Sequence, residues 1–157
     1  MIPQELNKFL NEYGPKKLLD GYLQLLDHNA SEKYSKLSSQ ITKEYGDLEI
    51  FAVTAFADLL AWDGNYVYMF KLAEGKVEVI MSGFTFFFSN IKDPDFQSEF
   101  FDIELFSQSQ RRLGNLGDNE CLTFEPLPLL GGEKNIESVK KEDIESCVRF
   151  LMSMYQN

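Results

Sequence analysis

"EIFAVTAFADLLAWDGNYVYMFKLAEGKVEVIMSG", residues 49–83, decides the fold of this chain. It is rich in β-branched and aromatic residues and broken by tight-turn signals. "NYVYMFKL" alternates, with Tyr66, Tyr68 and Phe70 on one side and Val67, Met69 and Leu72 nearer the other. "KVEVIM" alternates again through Val77 and Val79. Between them "AEGK" is a short hairpin turn in which Gly75 is free to take a positive φ. "WDGN" is a second tight turn, of Asp-Gly type. Short loops join antiparallel neighbours, so three or four strands in meander order are expected.

Outward from this segment the period changes. Residues 1–45 read as a helical entry. In "GPKKLLDGYLQLLDHN" the residues Leu18, Leu19, Tyr22, Leu25 and Leu26 share one helical face, and Pro15 suits a first turn. Asn29 and Ser31 can end that helix and start another carrying Tyr34, Leu37 and Ile41. Downstream, Ser82 is a candidate N-cap for a helix with Phe84, Phe87, Phe88 and Ile91 at helical spacing. Asp93 before Pro94 starts a second short helix with Phe96, Phe100 and Phe101. A third runs to about Leu113, where Gly114 ends it. "CLTFEPLPLL" reads as a short strand into a turn. "SVKKEDIESCVRFLMSMYQ" closes the chain as an amphipathic helix through Ile144, Val148, Leu151 and Met152. The expected class is α+β: one domain over 1–157, with a helical entry (1–45) and a body (46–157) of antiparallel meander sheet with helices packed on it.

A chain of 157 residues buries about 70% of its unfolded surface, enough for a real core. No apolar run approaches the roughly 20 residues of a membrane span. The start "MIPQELNKFLNEYG" lacks the basic and then long apolar pattern of a signal peptide. A cytoplasmic protein without a membrane partner is expected. The formal net charge is −10, and residues 46–157 carry all of it. An acidic body repels phosphate, which argues against nucleic-acid binding and favours a basic partner or plain solubility.

Local chemistry is sparse. His28 is the single histidine, placed by this reading at the end of a helix. It can be neither half of a metal-binding His pair nor part of a recognisable triad. Cys121 and Cys147 lie far apart in sequence, match no metal spacing and read as free thiols. No phosphate-binding glycine loop follows a strand. Asp93, Asp95, Glu99, Asp102 and Glu104 place five acids in twelve residues, with no base after Lys92. They read as a solvated face, or as a docking face for a basic partner. Trp62, Tyr66 and Tyr68 form a second candidate contact patch.

"RRLGNLGDNECLTFEPLPLLGG", residues 111–132, concentrates glycine and proline. "GNLG" has the spacing of a nucleic-acid clamp, but Asp118 and Glu120 follow it in an acidic body. The mechanical account is better. Gly114 ends a helix, Gly117 turns the chain, Pro126 and Pro128 stop strand pairing, and Gly131 and Gly132 let the chain double back.

The same stretch resembles the signature of the Tdi-type immunity proteins of bacterial type VI secretion. The residues that carry the likeness are Leu113, Gly114, Leu116, Gly117, Glu120, Phe124, Pro126, Leu130, Gly131, Gly132, Asn135 and Val139. Upstream, Phe56 and Asp58, then a hairpin through Val67 and Val77 and a Phe-rich helix, extend it over about residues 50–152. Two features depart from the pattern. The Trp and Gly motifs of the family's GAD-like N-terminal domain are absent from residues 1–45. The family segment often reads Phe-Gly-Asp, and here it is Phe56-Ala57-Asp58. The resemblance implies a chain that binds and neutralises a co-encoded secreted toxin, a basic nuclease, with no catalytic residue and no cofactor. The competing readings are a general adaptor module and an acidic-site hydrolase.

Overall fold

The alternating segment forms four consecutive strands, out to one edge, of a six-stranded antiparallel sheet in a computed structural model that describes residues 2–155. Strands β3 (Glu49–Thr54), β4 (Leu59–Trp62), β5 (Tyr66–Lys71) and β6 (Lys76–Ser82) follow one another as a meander. Asp63 builds the β4–β5 turn by accepting the N–H groups of Asn65 and Tyr66, each at 2.7 Å. Gly75, at φ 67°, sits in the β5–β6 turn.

The entry segment corrects the reading of residues 15–29. After helix α1 (Gln4–Tyr13), Gly14 turns the chain at φ 73° into β1 (Lys17–Leu18) and β2 (Leu23–Leu25). These two strands extend the sheet to the order β1-β2-β3-β4-β5-β6. Leu23 and Leu25 pair with Thr54 and Ala52. Leu19 and Asp20 take left-handed backbone angles that an α-helix does not allow. The strands are two and three residues long, too short to show an alternation, and the left-handed turn at Leu19–Asp20 lies between leucines whose spacing imitates a helical face. Helix α2 (His28–Thr42) is present as expected, but Asp27 caps it by accepting the Ala30 N–H at 2.8 Å. His28 therefore lies at the start of a helix, not at an end, 3.6 Å from Glu32.

Ser82 is the last residue of β6, not a cap. Helix α3 (Phe87–Asn90) begins only after Gly83 and a turn through Phe86. Phe84 stacks on Phe87 at 4.6 Å and both contact Phe51 of β3 at 5.4 Å, which buries the apolar face as expected. Helices α4 (Pro94–Phe100) and α5 (Ile103–Leu113) follow, and Gly114 ends α5 at φ 83°.

The last third holds a second, two-stranded sheet. Strand β7 (Glu120–Phe124) pairs antiparallel with β8 (Val139–Asp143), a strand where the sequence reads as the opening turns of the final helix. Helix α6 (Ile144–Ser153) starts one residue later, capped by Asp143, and buries the expected Ile144, Val148, Leu151 and Met152 together with Cys147. The expected extension to Gln156 lies outside the described residues. The small sheet is tied to the large one where Leu122 N–H donates to the Ala55 carbonyl at 2.6 Å and Phe124 stacks on Phe56 at 5.3 Å. Buried side chains from both sheets and the helices join in one cluster.

The glycine-proline stretch forms a series of turns. Gly117 N–H meets the Glu120 carboxylate at 2.7 Å. The Glu125–Pro126 bond is cis. Gly131 is left-handed at φ 92°, and a Cβ on Gly132 would stand 2.0 Å from the Pro126 carbonyl oxygen. One glycine is required by its angle and the other by a close backbone approach.

Candidate functional site

The acidic run occupies α4 and the start of α5. Asp93 caps α4, its carboxylate accepting the Asp95 N–H at 2.8 Å, and Pro94 fills the first helical position. Phe101 and Phe106 are buried against Tyr22, at 5.1 and 5.5 Å. Phe96 and Phe100 are half-buried and pack on each other at 5.0 Å. The phenylalanines thus fix both helices from beneath. Asp93, Asp95, Glu99 and Glu104 are left exposed, and none has an ion pair among the described residues.

Asp102 behaves differently from the other four. Its backbone N–H donates to the Tyr22 hydroxyl at 3.0 Å. Its carboxylate accepts from the Lys134 ammonium at 2.9 Å, and Lys134 also donates to Glu74 at 3.0 Å. Burial works against the Lys134 charge, but the hydrogen bonds to Asp102 and Glu74 outweigh it and hold the ammonium above its ordinary value. Asp102 is therefore a strut. It joins the α4–α5 junction, the β5–β6 turn and the segment after Gly132. No sequence pattern announces this, because Lys134 lies 32 residues away from its partner.

A groove of about 680 Å³ runs beside the strut. Gln97, Phe101, Asp102, Glu104, Lys134 and Ile136 are among its lining residues. Polar and charged side chains line it together with Phe101 and Ile136.

The second candidate patch divides. Trp62 is only 8% exposed and packs edge-on against Phe84 at 5.7 Å, so it belongs to the core. Tyr66 is 44% exposed. The half-buried Tyr68 donates its hydroxyl to Asp63 at 3.1 Å and lies 5.6 Å from Tyr45. Tyr45, Val77 and Val79 share this exposure, and β6, an edge strand, carries the two valines. Strand alternation hinted at that face, but it gave no sign of Tyr45.

Asp58 is 3% exposed, in the β3–β4 turn. The Thr54 hydroxyl donates to its carboxylate at 2.8 Å and accepts the Phe56 and Asp58 N–H groups at 3.2 Å. Burial pushes this carboxyl up to about 7. Asp58 is not among the residues that line the groove, and no described group of three or more His, Cys, Asp or Glu side chains could hold a metal ion. No helix among the described residues is long and apolar enough to cross a membrane.

Residues 81–155 match the family described as T6SS immunity protein Tdi1, C-terminal. The match spans the end of β6, helices α3–α6 and the β7–β8 ribbon, and so contains the acidic face, the groove and the glycine-proline stretch. The resemblance carried by residues 113–139 is borne out. The upstream residues Phe56, Asp58, Val67 and Val77 lie outside the matched segment. A crystal structure, that of Atu4351 from Agrobacterium tumefaciens, is similar with a TM-score of 0.68 at 19% identity, over 96% of this chain and 75% of that one. At that identity the likeness concerns the fold. No curated protein matches the sequence.

Proposed function

We propose that this chain is a type VI secretion immunity protein that binds and neutralises a co-encoded toxin, a basic nuclease, inside the producing cell. The observation that carries the reading is the Tdi1 C-terminal match over residues 81–155. The charge supports the finer part. Net −10 complements a nuclease whose substrate groove must be basic, and opposite charge speeds the encounter of toxin and inhibitor. The exposed carboxylates of Asp93, Asp95, Glu99 and Glu104, above helices held rigid by phenylalanines, provide a preorganised acidic surface. Binding of this kind requires no catalytic residue, cofactor or nucleic acid.

The test is co-expression with the product of the adjacent gene, which the reading requires to be a toxin. The toxin alone should arrest growth and degrade nucleic acid. The chain should restore growth and co-purify with the toxin as a complex. Persistent arrest with no complex would sink the immunity reading. Rescue from a toxin that leaves nucleic acid intact would retain immunity and remove the nuclease assignment.

A further inference from the structure

The fold brings together two cysteines that the sequence separates. Strand β8 runs directly into α6, and the Ile144 N–H donates to the Asn119 carbonyl at 2.8 Å. That bond pins the start of α6 to the approach of β7. Cys121 lies two residues beyond Asn119 on the strand, and Cys147 lies one helical turn beyond Ile144. Ile144, Cys147, Val148 and Leu151 form the buried face of α6, so Cys147 turns inward. Both cysteines are free and buried. The neighbouring Cys147 thiol, then burial, pushes Cys121 up, while the Cys121 thiol, helped by Thr123, lowers Cys147 in spite of its burial.

Access distinguishes them further. A groove of about 460 Å³ opens between the β7–β8 ribbon, α6 and the Pro126–Leu130 turn. Cys147 lines it with Thr123, Phe124, Leu127 and Phe150, whereas Cys121 does not. A small uncharged oxidant that enters this largely apolar groove reaches Cys147 first.

We propose that Cys147 and Cys121 form an oxidisable dithiol, in which a hydroperoxide entering the groove is reduced at Cys147 and the pair then closes to a disulfide. The Cys147 thiolate attacks a peroxide oxygen. The O–O bond breaks, a sulfenic acid forms, and the leaving oxygen takes a proton to become water or an alcohol. The Cys121 sulfur then attacks Cys147, the S–O bond breaks, and the hydroxide leaves as water with the Cys121 proton. Two thiols lose two electrons and one hydroperoxide gains them. The product ties α6 to β7 across a loop that contains the Pro126–Gly132 turn. It constrains the unfolded chain and stabilises the fold. This inference does not rest on the immunity reading.

The test treats the folded, purified chain with hydrogen peroxide, blocks remaining thiols by alkylation and maps the peptides. Both thiols should disappear together, and one linked peptide pair should join Cys121 to Cys147 within a monomer. The Tm should rise and return to its starting value on reduction. In Cys121→Ser, Cys147 should stop at the sulfenic acid and react with dimedone. In Cys147→Ser, Cys121 should stay unmodified at the same dose. Retention of both thiols in the folded chain, at a dose that oxidises the urea-unfolded chain, would overturn the proposal. Oxidation of Cys147 beyond the sulfenic acid while Cys121 stays free would overturn it as well. The map of the unsubstituted chain decides the matter even if a serine variant fails to fold.

Discussion

Ala57 adopts φ 63° in the β3–β4 turn, where a β-carbon is strained and glycine is not. Ala57→Gly should therefore stabilise the chain by up to about 1 kcal/mol, net of the greater freedom it gives the unfolded state. An unchanged or lower midpoint in urea would show that packing of this buried methyl outweighs the strain. Its neighbour Asp58 sets a pH dependence. Burial pushes the folded carboxyl up to about 7 from its ordinary 3.8. Between those values the folded chain holds a proton that the unfolded chain has released. Stability is thus highest below the unfolded value, falls as pH rises toward 7 and levels off above it. The full drop is at most roughly 4 kcal/mol. Urea unfolding at pH 5 and pH 8 samples roughly the upper two thirds of that window, and should show a drop in the unsubstituted chain and a smaller one in Asp58→Asn; equal drops would mean that another group dominates. Gly132→Ala should be far worse than Gly131→Ala. The first forces a β-carbon onto backbone atoms of Pro126 and should cost about 3 kcal/mol or more, while the second meets open space and costs about 1 kcal/mol in angle strain. Comparable melting of the two variants would refute the separate roles assigned to these glycines.

At the scale of elements, the Lys134 strut joins three segments that share no sequence periodicity. Lys134→Met should cost about 2 kcal/mol, because two half-buried carboxylates lose charge-assisted hydrogen bonds. Thermal denaturation measures it, and an unaltered transition would reduce the strut to a surface ion pair. The strut also shows what the sequence can convey. Alternation and Asp-Gly or Gly turns made β5, β6 and the meander legible, because their signals are local. Asp93–Pro94 and Gly114 marked helix ends by the same local chemistry. Strands β1 and β2 read as a helix because two and three residues are too few to show alternation, while their leucines fall at helical spacing. Strand β8 was hidden because "VKKED" is polar, and only its pairing with β7 makes it a strand. The acidic face was visible as composition. Its division into four free acids and one strut depends on a lysine that only the fold brings close, and Trp62 left the candidate patch because Phe84 covers it.

For the molecule as a whole, the unevenly distributed charge connects fold to proposed function. The exposed acids contribute little to folding, so reversing Asp95, Glu99 and Glu104 to Lys should keep the fold, at about 0.5 kcal/mol or less for each change. Asp93 is left alone because it caps α4, and Asp102 because it is the strut. The triple variant moves the net charge from −10 to −4 and places positive charge where a basic toxin would land. Its association rate with that toxin should fall by about tenfold or more at low salt, and the salt dependence of the rate should flatten, since steering is what salt screens. Dissociation should change less, unless a reversed residue lies inside the buried contact. Stopped-flow mixing across a salt series separates these cases. If the variant associates at the parent rate throughout the series, the face is merely solvated. The exposed surface of Tyr45, Tyr66, Val77 and Val79 then becomes the one to substitute next, because it offers an aromatic and aliphatic contact that does not depend on charge.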